Sequence, residues 1–136
     1  MKHLHLIIFV LLALTMNISC TGQSGEKKNA ATISDQGPVE VFYFHNTRRC
    51  ATCNAVEDIT KAALAEHFGN KIPFTSFNLE ETEGKEKAEE IGVAGQTLVI
   101  VKGETKINLT NEGFMYARNN PEKLETLIKE KIDPLL

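Results

Sequence analysis

Cys50 and Cys53 stand two residues apart, between a run of apolar residues and a stretch with helical periodicity. The run, VEVFYF at positions 39–44, is dense in β-branched and aromatic side chains and too short for a helix, so it reads as a buried strand. The loop HNTRR then delivers the cysteines. From Ala51 to about Phe68, Val56, Ile59, Ala63 and Leu64 fall on one apolar helical face, which Gly69 and Asn70 end. Any fold open to this chain must therefore place a strand, a short loop and a helix opening on C-x-x-C in one core.

The rest of the chain narrows the choice. Ile72 to Leu79, IPFTSFNL, alternates apolar and polar residues after Pro73 and predicts a second strand. A charged helix is expected over about Glu83 to Ile91, closed by Gly92. TLVIVKG and TKINLT, parted by Gly103 and Glu104, predict a β-hairpin. In NPEKLETLIKEKIDPLL, Asn120 is a candidate N-cap and Pro121 the first helical residue, and Leu124, Leu127, Ile128 and Ile132 form an apolar stripe. Strand, helix, strand, helix, strand, strand, helix is an α/β order. Parallel neighbours joined through a helix require a right-handed crossover, and the closing hairpin adds an antiparallel strand. The expected architecture is a three-layer sandwich, a mixed sheet with helices on both faces.

The N-terminus has a separate logic. Residues 1–19, MKHLHLIIFVLLALTMNIS, begin with the basic Lys2, continue through an apolar run from Leu6 to Leu14 and end in Ser19 before Cys20, the grammar of a signal peptide. The run is shorter than the roughly 20 apolar residues that a spanning helix needs. A cysteine directly after the cleavage point resembles a bacterial lipoprotein signal, which implies lipidation of Cys20; Asn17 departs from the leucine-like residue usual three places before that cysteine. Residues 20–37 are polar, rich in small side chains and without apolar periodicity, as in a flexible tether. The folded part is then residues 38–136, a single domain in size.

Charge excludes one class of partner. Loss of residues 1–19 removes one lysine and no acid, so the 15 basic and 18 acidic residues of the chain become 14 and 18, a net charge of about −4. Nucleic-acid binding requires a concentrated basic stripe. Here lysines alternate with glutamates in EETEGKEKAEE and PEKLETLIKEK, as on solvated helix faces.

By spacing alone the cysteine pair can be a redox couple, part of a metal site or a structural disulfide. Two cysteines in a first helical turn can reach disulfide distance, and the first sits where unpaired backbone N–H groups point outward. A helix N-terminus stabilises an anion by about 0.3 to 1 kcal/mol, and by up to about 2 in partly buried sites. The Cys50 thiolate should therefore form more readily than an ordinary one. Arg48 and Arg49 push the same way if they turn toward the sulfur, and add nothing if they face solvent.

Cys50-Ala51-Thr52-Cys53, after a strand and opening a helix, resembles the redox motif of the thioredoxin superfamily, and the resemblance covers about residues 38–134. It implies that Cys50 attacks and that Cys53 is the buried resolving thiol. The surroundings differ from the usual pattern. Arg49 precedes Cys50, Ala51-Thr52 replaces Gly-Pro, and no proline lies between Phe74 and Asn120, where relatives carry a cis-proline facing the cysteines. Gln96 or Thr97 takes that place, with Thr97 the expected neighbour of the cysteines. The acid that relatives bury on the preceding strand is absent from VFYFH; His45 is the nearest titratable group and could carry a proton to Cys53, or simply face solvent as His67 is expected to do.

Three functions follow. The first is a thiol-disulfide oxidoreductase of the bacterial cell envelope, on the periplasmic side and lipid-anchored to a membrane. It would be a monomer acting on a protein dithiol or disulfide, or on a small thiol-reactive substrate, with no cofactor and no nucleic acid. The second is capture or reduction of a soft metal or an arsenical by the same dithiol. Here FHNTRRCATC is similar to a small thioredoxin-like family found with arsenic-resistance and nitroaromatic-reducing systems. No second C-x-x-C or His-x-His completes the four ligands of a structural zinc site, so no resident metal is expected. The third is a surface lipoprotein with a static disulfide, to which so short a loop is poorly suited because the constraint on the unfolded chain grows with loop size.

Overall fold

In the computed structural model, residues 37–136 are described; the expected signal segment 1–19, Cys20 and the tether as far as residue 36 lie outside the described residues. Four strands, β1 (Glu40–His45), β2 (Phe74–Asn78), β3 (Thr97–Lys102) and β4 (Thr105–Asn108), alternate with four α-helices. The helices are α1 (Ala51–Phe68), α2 (Thr82–Ile91), α3 (Thr110–Tyr116) and α4 (Pro121–Ile132). The sheet order is β2-β1-β3-β4. β1 runs parallel to β2 and antiparallel to β3, and the β3–β4 hairpin closes the sheet. The mixed α/β sheet expected from the element order is therefore present.

Alternation along β1 divides the core between the two faces. Val41 and Tyr43 pack with Val56, Ala63 and Leu64 of α1, Leu98 and Ile100 of β3, and Leu124, Ile128 and Ile132 of α4. Phe42 and Phe44 point the other way, against Ala88 and Ile91 of α2 and Val99 of β3, with Phe77 packed alongside. Each fully buried aliphatic side chain contributes about 1.5 to 3 kcal/mol before conformational entropy is subtracted. Because β1 is central and buried on both faces, it reads as a continuous apolar run rather than an alternating one.

Local chemistry sets the element ends. Gly92 closes α2 in the left-handed region at φ 76°. Asn120 caps α4 by accepting from the Lys123 N–H, with Pro121 in the first turn. β2 begins at Phe74, later than the expected Ile72, because Pro73 has no N–H for a ladder; its carbonyl accepts from Val41 N at 3.0 Å. The helix α3 is a feature that the sequence pattern did not predict.

Candidate functional site

The site forms where β1 ends and α1 begins. Cys50 is the N-cap of α1, in an extended conformation (φ −84°, ψ 167°), and the Cys53 backbone N–H donates to its Sγ at 3.2 Å. The sulfur thus does for the helix what a serine or aspartate oxygen usually does. Cys50 is exposed, Cys53 is buried and both are free thiols. Two bonds fix the preceding loop: Asn78 Nδ2 donates to Thr47 Oγ1 at 2.9 Å, and Thr47 N donates to Glu80 Oε1 at 3.2 Å.

The two sulfurs differ in acidity. Hydrogen bonds from Cys53, first from its thiol and then from its backbone N–H, hold the Cys50 thiol below its ordinary value. Burial, followed by the hydrogen bond that Cys53 gives to Cys50, pushes the Cys53 thiol up. An exposed thiol that ionises readily over a buried one that does not is the asymmetry that sequential disulfide exchange needs.

Of the other residues singled out from the sequence, Gln96 meets Cys53: its Oε1 lies 3.7 Å from Cys53 Sγ and competes with Cys50 Sγ as acceptor for that thiol's single proton. Thr97 is buried beside it, but its hydroxyl donates back to Gly95 O at 3.0 Å. His45 is half-buried at the end of β1, with Nδ1 3.0 Å from Asn46 O and its ring 5.9 Å from that of Tyr43. Arg48 is exposed. Arg49 turns neither to the Cys50 sulfur nor to open solvent. Its guanidinium forms an ion pair with Glu57, donates through Nη2 to the Cys53 carbonyl at 3.3 Å and lies 5.6 Å from the centre of the Tyr43 ring.

Glu57 and Tyr43 escaped the sequence reading. Glu57 lies one turn beyond Cys53 on the buried stripe of α1 and also takes Lys61 at 2.5 Å and the Ser76 hydroxyl at 3.2 Å. Burial alone would push its carboxyl up; hydrogen bonds and charge from Lys61 and Arg49 outweigh that and hold it below its ordinary value. A buried acid is therefore present on the helix, one turn beyond Cys53, and not on the preceding strand. Its i+4 spacing from Cys53 was the available signal. Tyr43 is fully buried, and its hydroxyl has no hydrogen-bond partner. Among the described residues no group of three or more His, Cys, Asp and Glu side chains is placed to hold a metal ion, so a soft ion would meet only two sulfurs.

No protein-family model matches the chain, and no curated protein matches it. Solved structures do. Oxidised thioredoxin O2 from Arabidopsis thaliana superimposes with a TM-score of 0.51 at 15% identity, over 71% of this chain and 76% of that one. Mitochondrial thioredoxin 3 from Saccharomyces cerevisiae gives 0.45 at 24% identity, over 73% and 84%. The germline-specific thioredoxin Deadhead from Drosophila melanogaster gives 0.46 at 19%, over 71% and 84%. The class defined by the fold is thus the α/β sandwich with a mixed sheet and helices on both faces. In particular, residues 37–136 have the thioredoxin fold.

Proposed function

We propose that the protein is a thiol-disulfide oxidoreductase in which Cys50 is the nucleophile and Cys53 the resolving thiol. The observation that carries this reading is the placement of an exposed Cys50 sulfur on the helix N-terminus, accepting from the Cys53 N–H, with Cys53 buried behind it. In the reductive direction the Cys50 thiolate attacks one sulfur of a substrate disulfide. A mixed disulfide forms and the other substrate sulfur leaves as a thiolate. Cys53 then loses its proton to a base in solvent and attacks Cys50 Sγ, so that the second substrate sulfur departs with the electron pair and a Cys50–Cys53 disulfide remains. Two electrons pass from the dithiol to the substrate. Running the same steps backward oxidises a substrate dithiol, and the reduction potential of the couple decides the direction in the cell.

Because the Cys50 thiol is lowered and the Cys53 thiol raised, alkylation by iodoacetamide is expected to separate them by pH. The rate at Cys50 should reach half its maximum below the pKa of about 8.5 of a free cysteine, and Cys53 should react only above it. Peptide mapping after timed alkylation measures this. Equal, slow modification of both at neutral pH would remove the basis of the proposal.

The place of action is proposed from the N-terminal sequence: after removal of residues 1–19, a lipid on Cys20 would anchor the domain to the periplasmic side of a bacterial membrane. Incorporation of a labelled fatty acid in cells is expected for the full chain and lost in Cys20→Ser. Equal labelling of the two, or none in either, would sink the anchor and leave the dithiol chemistry untouched.

A further inference from the structure

The side chain that meets the resolving sulfur is an amide, and an amide has two unlike ends. Gln96 is half-buried just ahead of β3, with its Oε1 3.7 Å from Cys53 Sγ. The backbone builds this place. Gly95 turns the chain in the left-handed region at φ 91°, the Thr97 hydroxyl donates back to Gly95 O at 3.0 Å, and Thr97 pairs with Phe44 of β1, the strand that leads into the cysteine loop.

In the dithiol form Cys53 has one proton and two acceptors for it, Cys50 Sγ and Gln96 Oε1. A mixed disulfide changes this. Once Cys50 is bonded to a substrate sulfur it carries no negative charge and accepts only weakly, so the Cys53 thiol turns to Gln96. When that thiol ionises to attack, the requirement inverts, because a buried negative sulfur needs a donor. The proton of the Thr97 hydroxyl goes to Gly95 O, and the Arg49 guanidinium is held by Glu57 and the Cys53 carbonyl. Gln96 can supply a donor without moving its backbone. The last torsion of its side chain is broad, and a half-turn puts Nε2 where Oε1 lies.

We propose that Gln96 serves Cys53 in both protonation states, accepting from the thiol through Oε1 and, after a half-turn of the amide, donating through Nε2 to the thiolate that attacks Cys50 Sγ. This rests on the oxidoreductase reading and deepens it by giving a part in resolution to a residue outside the C-x-x-C. The step keeps its balance: the Cys53 proton goes to solvent base, the Cys53–Cys50 bond forms as the Cys50–substrate bond breaks, and the substrate thiolate carries off the electron pair. The amide keeps all its protons. Its two ends do not cancel, because a hydrogen bond to a charged group is about twice as strong as one between neutral groups. The balance favours the thiolate.

The full chain with Cys20→Ser, which leaves Cys50 and Cys53 as its thiols, tests this. Alkylation of Cys53 by iodoacetamide is followed against pH with Cys50→Ser added. Gln96→Met, an unbranched side chain that has no donor and accepts only weakly, should move the profile up by about one pH unit, and Gln96→Glu, which keeps an acceptor and adds negative charge, by about two. With Cys50 present, the aromatic disulfide dithiobis(nitrobenzoate) releases one coloured thiolate on attack by Cys50 and a second, at a rate independent of reagent concentration, on resolution by Cys53. The second phase should slow about threefold in Gln96→Met and about tenfold in Gln96→Glu, less than the loss of thiolate because a more basic sulfur is the better nucleophile. A downward shift of the Cys53 profile in Gln96→Met would mean that the amide only holds the thiol neutral, and no shift that it only packs; either result overturns the proposal. If the protein with native Gln96 stops after one equivalent, the oxidoreductase reading falls, and the Cys53 profile still decides whether Gln96 donates to that sulfur.

Discussion

Cys50→Ser is expected to bring disulfide exchange down to the uncatalysed background while leaving the fold in place. A serine hydroxyl does not ionise near neutral pH and forms no sulfur–sulfur bond, so no mixed disulfide can be made. The same change leaves the helix end intact, since serine is among the preferred N-caps and its oxygen can accept the Cys53 N–H that the sulfur now accepts. The substitution therefore separates chemistry from architecture. Cys53→Ser should behave differently: Cys50 still attacks, but the intermediate is not resolved and the protein stays joined to its substrate. Insulin reduction by dithiothreitol and mass analysis of the trapped species measure the two outcomes. Catalysis by Cys50→Ser at the wild-type rate would show that the exposed sulfur is not the nucleophile.

Gly84→Ala is expected to be the more damaging change to stability, although it adds one methyl group. Gly84 is buried in the first turn of α2, and a Cβ there would lie 2.0 Å from the Asn78 carbonyl oxygen and 2.6 Å from its carbon. Both are backbone atoms at the end of β2. No rotamer change relieves such a clash, so the helix must move off the sheet. Asn78 O also accepts from Glu81 N at 3.1 Å, which ties that turn to the strand. Overpacking of a core costs about 1 to 3 kcal/mol and occasionally more, and a clash with backbone on both sides belongs at about 3 kcal/mol. Urea denaturation should show the midpoint falling with little change in slope. A loss within about 0.5 kcal/mol, the usual effect of a surface substitution, would contradict the close packing of α2 on β2.

Much of the fold was legible because local and global signals agree. The bounds of α1 follow from the apolar stripe and from Gly69, and those of α4 from Asn120 and Pro121. The α3 segment, TNEGFMY, was not legible: it has a glycine at its centre and no apolar face of helical period. Its helix depends on tertiary contact, in which Gly113 brings the backbone close to Val56 and Leu98; a Cβ there would sit 3.3 Å from Val56 Cγ1. At the site, the positions of Cys50 and Cys53 could be read from spacing, but the destination of the Arg49 charge could not. It depends on Glu57, eight residues away and across the helix start, and on a tyrosine ring from the strand below. The choice between Gln96 and Thr97 turned on which side chain at the junction of the loop with β3 faces the sulfur, and alternation along β3 does not settle that for the residue just ahead of it.

In the proposed exchange the sulfur that caps α1 is also the sulfur that changes its bonding. Thermodynamics closes a cycle around these two roles. The difference in folding free energy between the dithiol and disulfide forms equals the difference in redox free energy between the folded and unfolded chain. Every interaction that favours the Cys50 thiolate in the folded state makes the dithiol form the harder one to unfold and the disulfide the stronger oxidant. Denaturation curves of the two forms therefore act as an electrode: they measure how far the fold has moved the cysteine pair from the potential it would have in a structureless peptide.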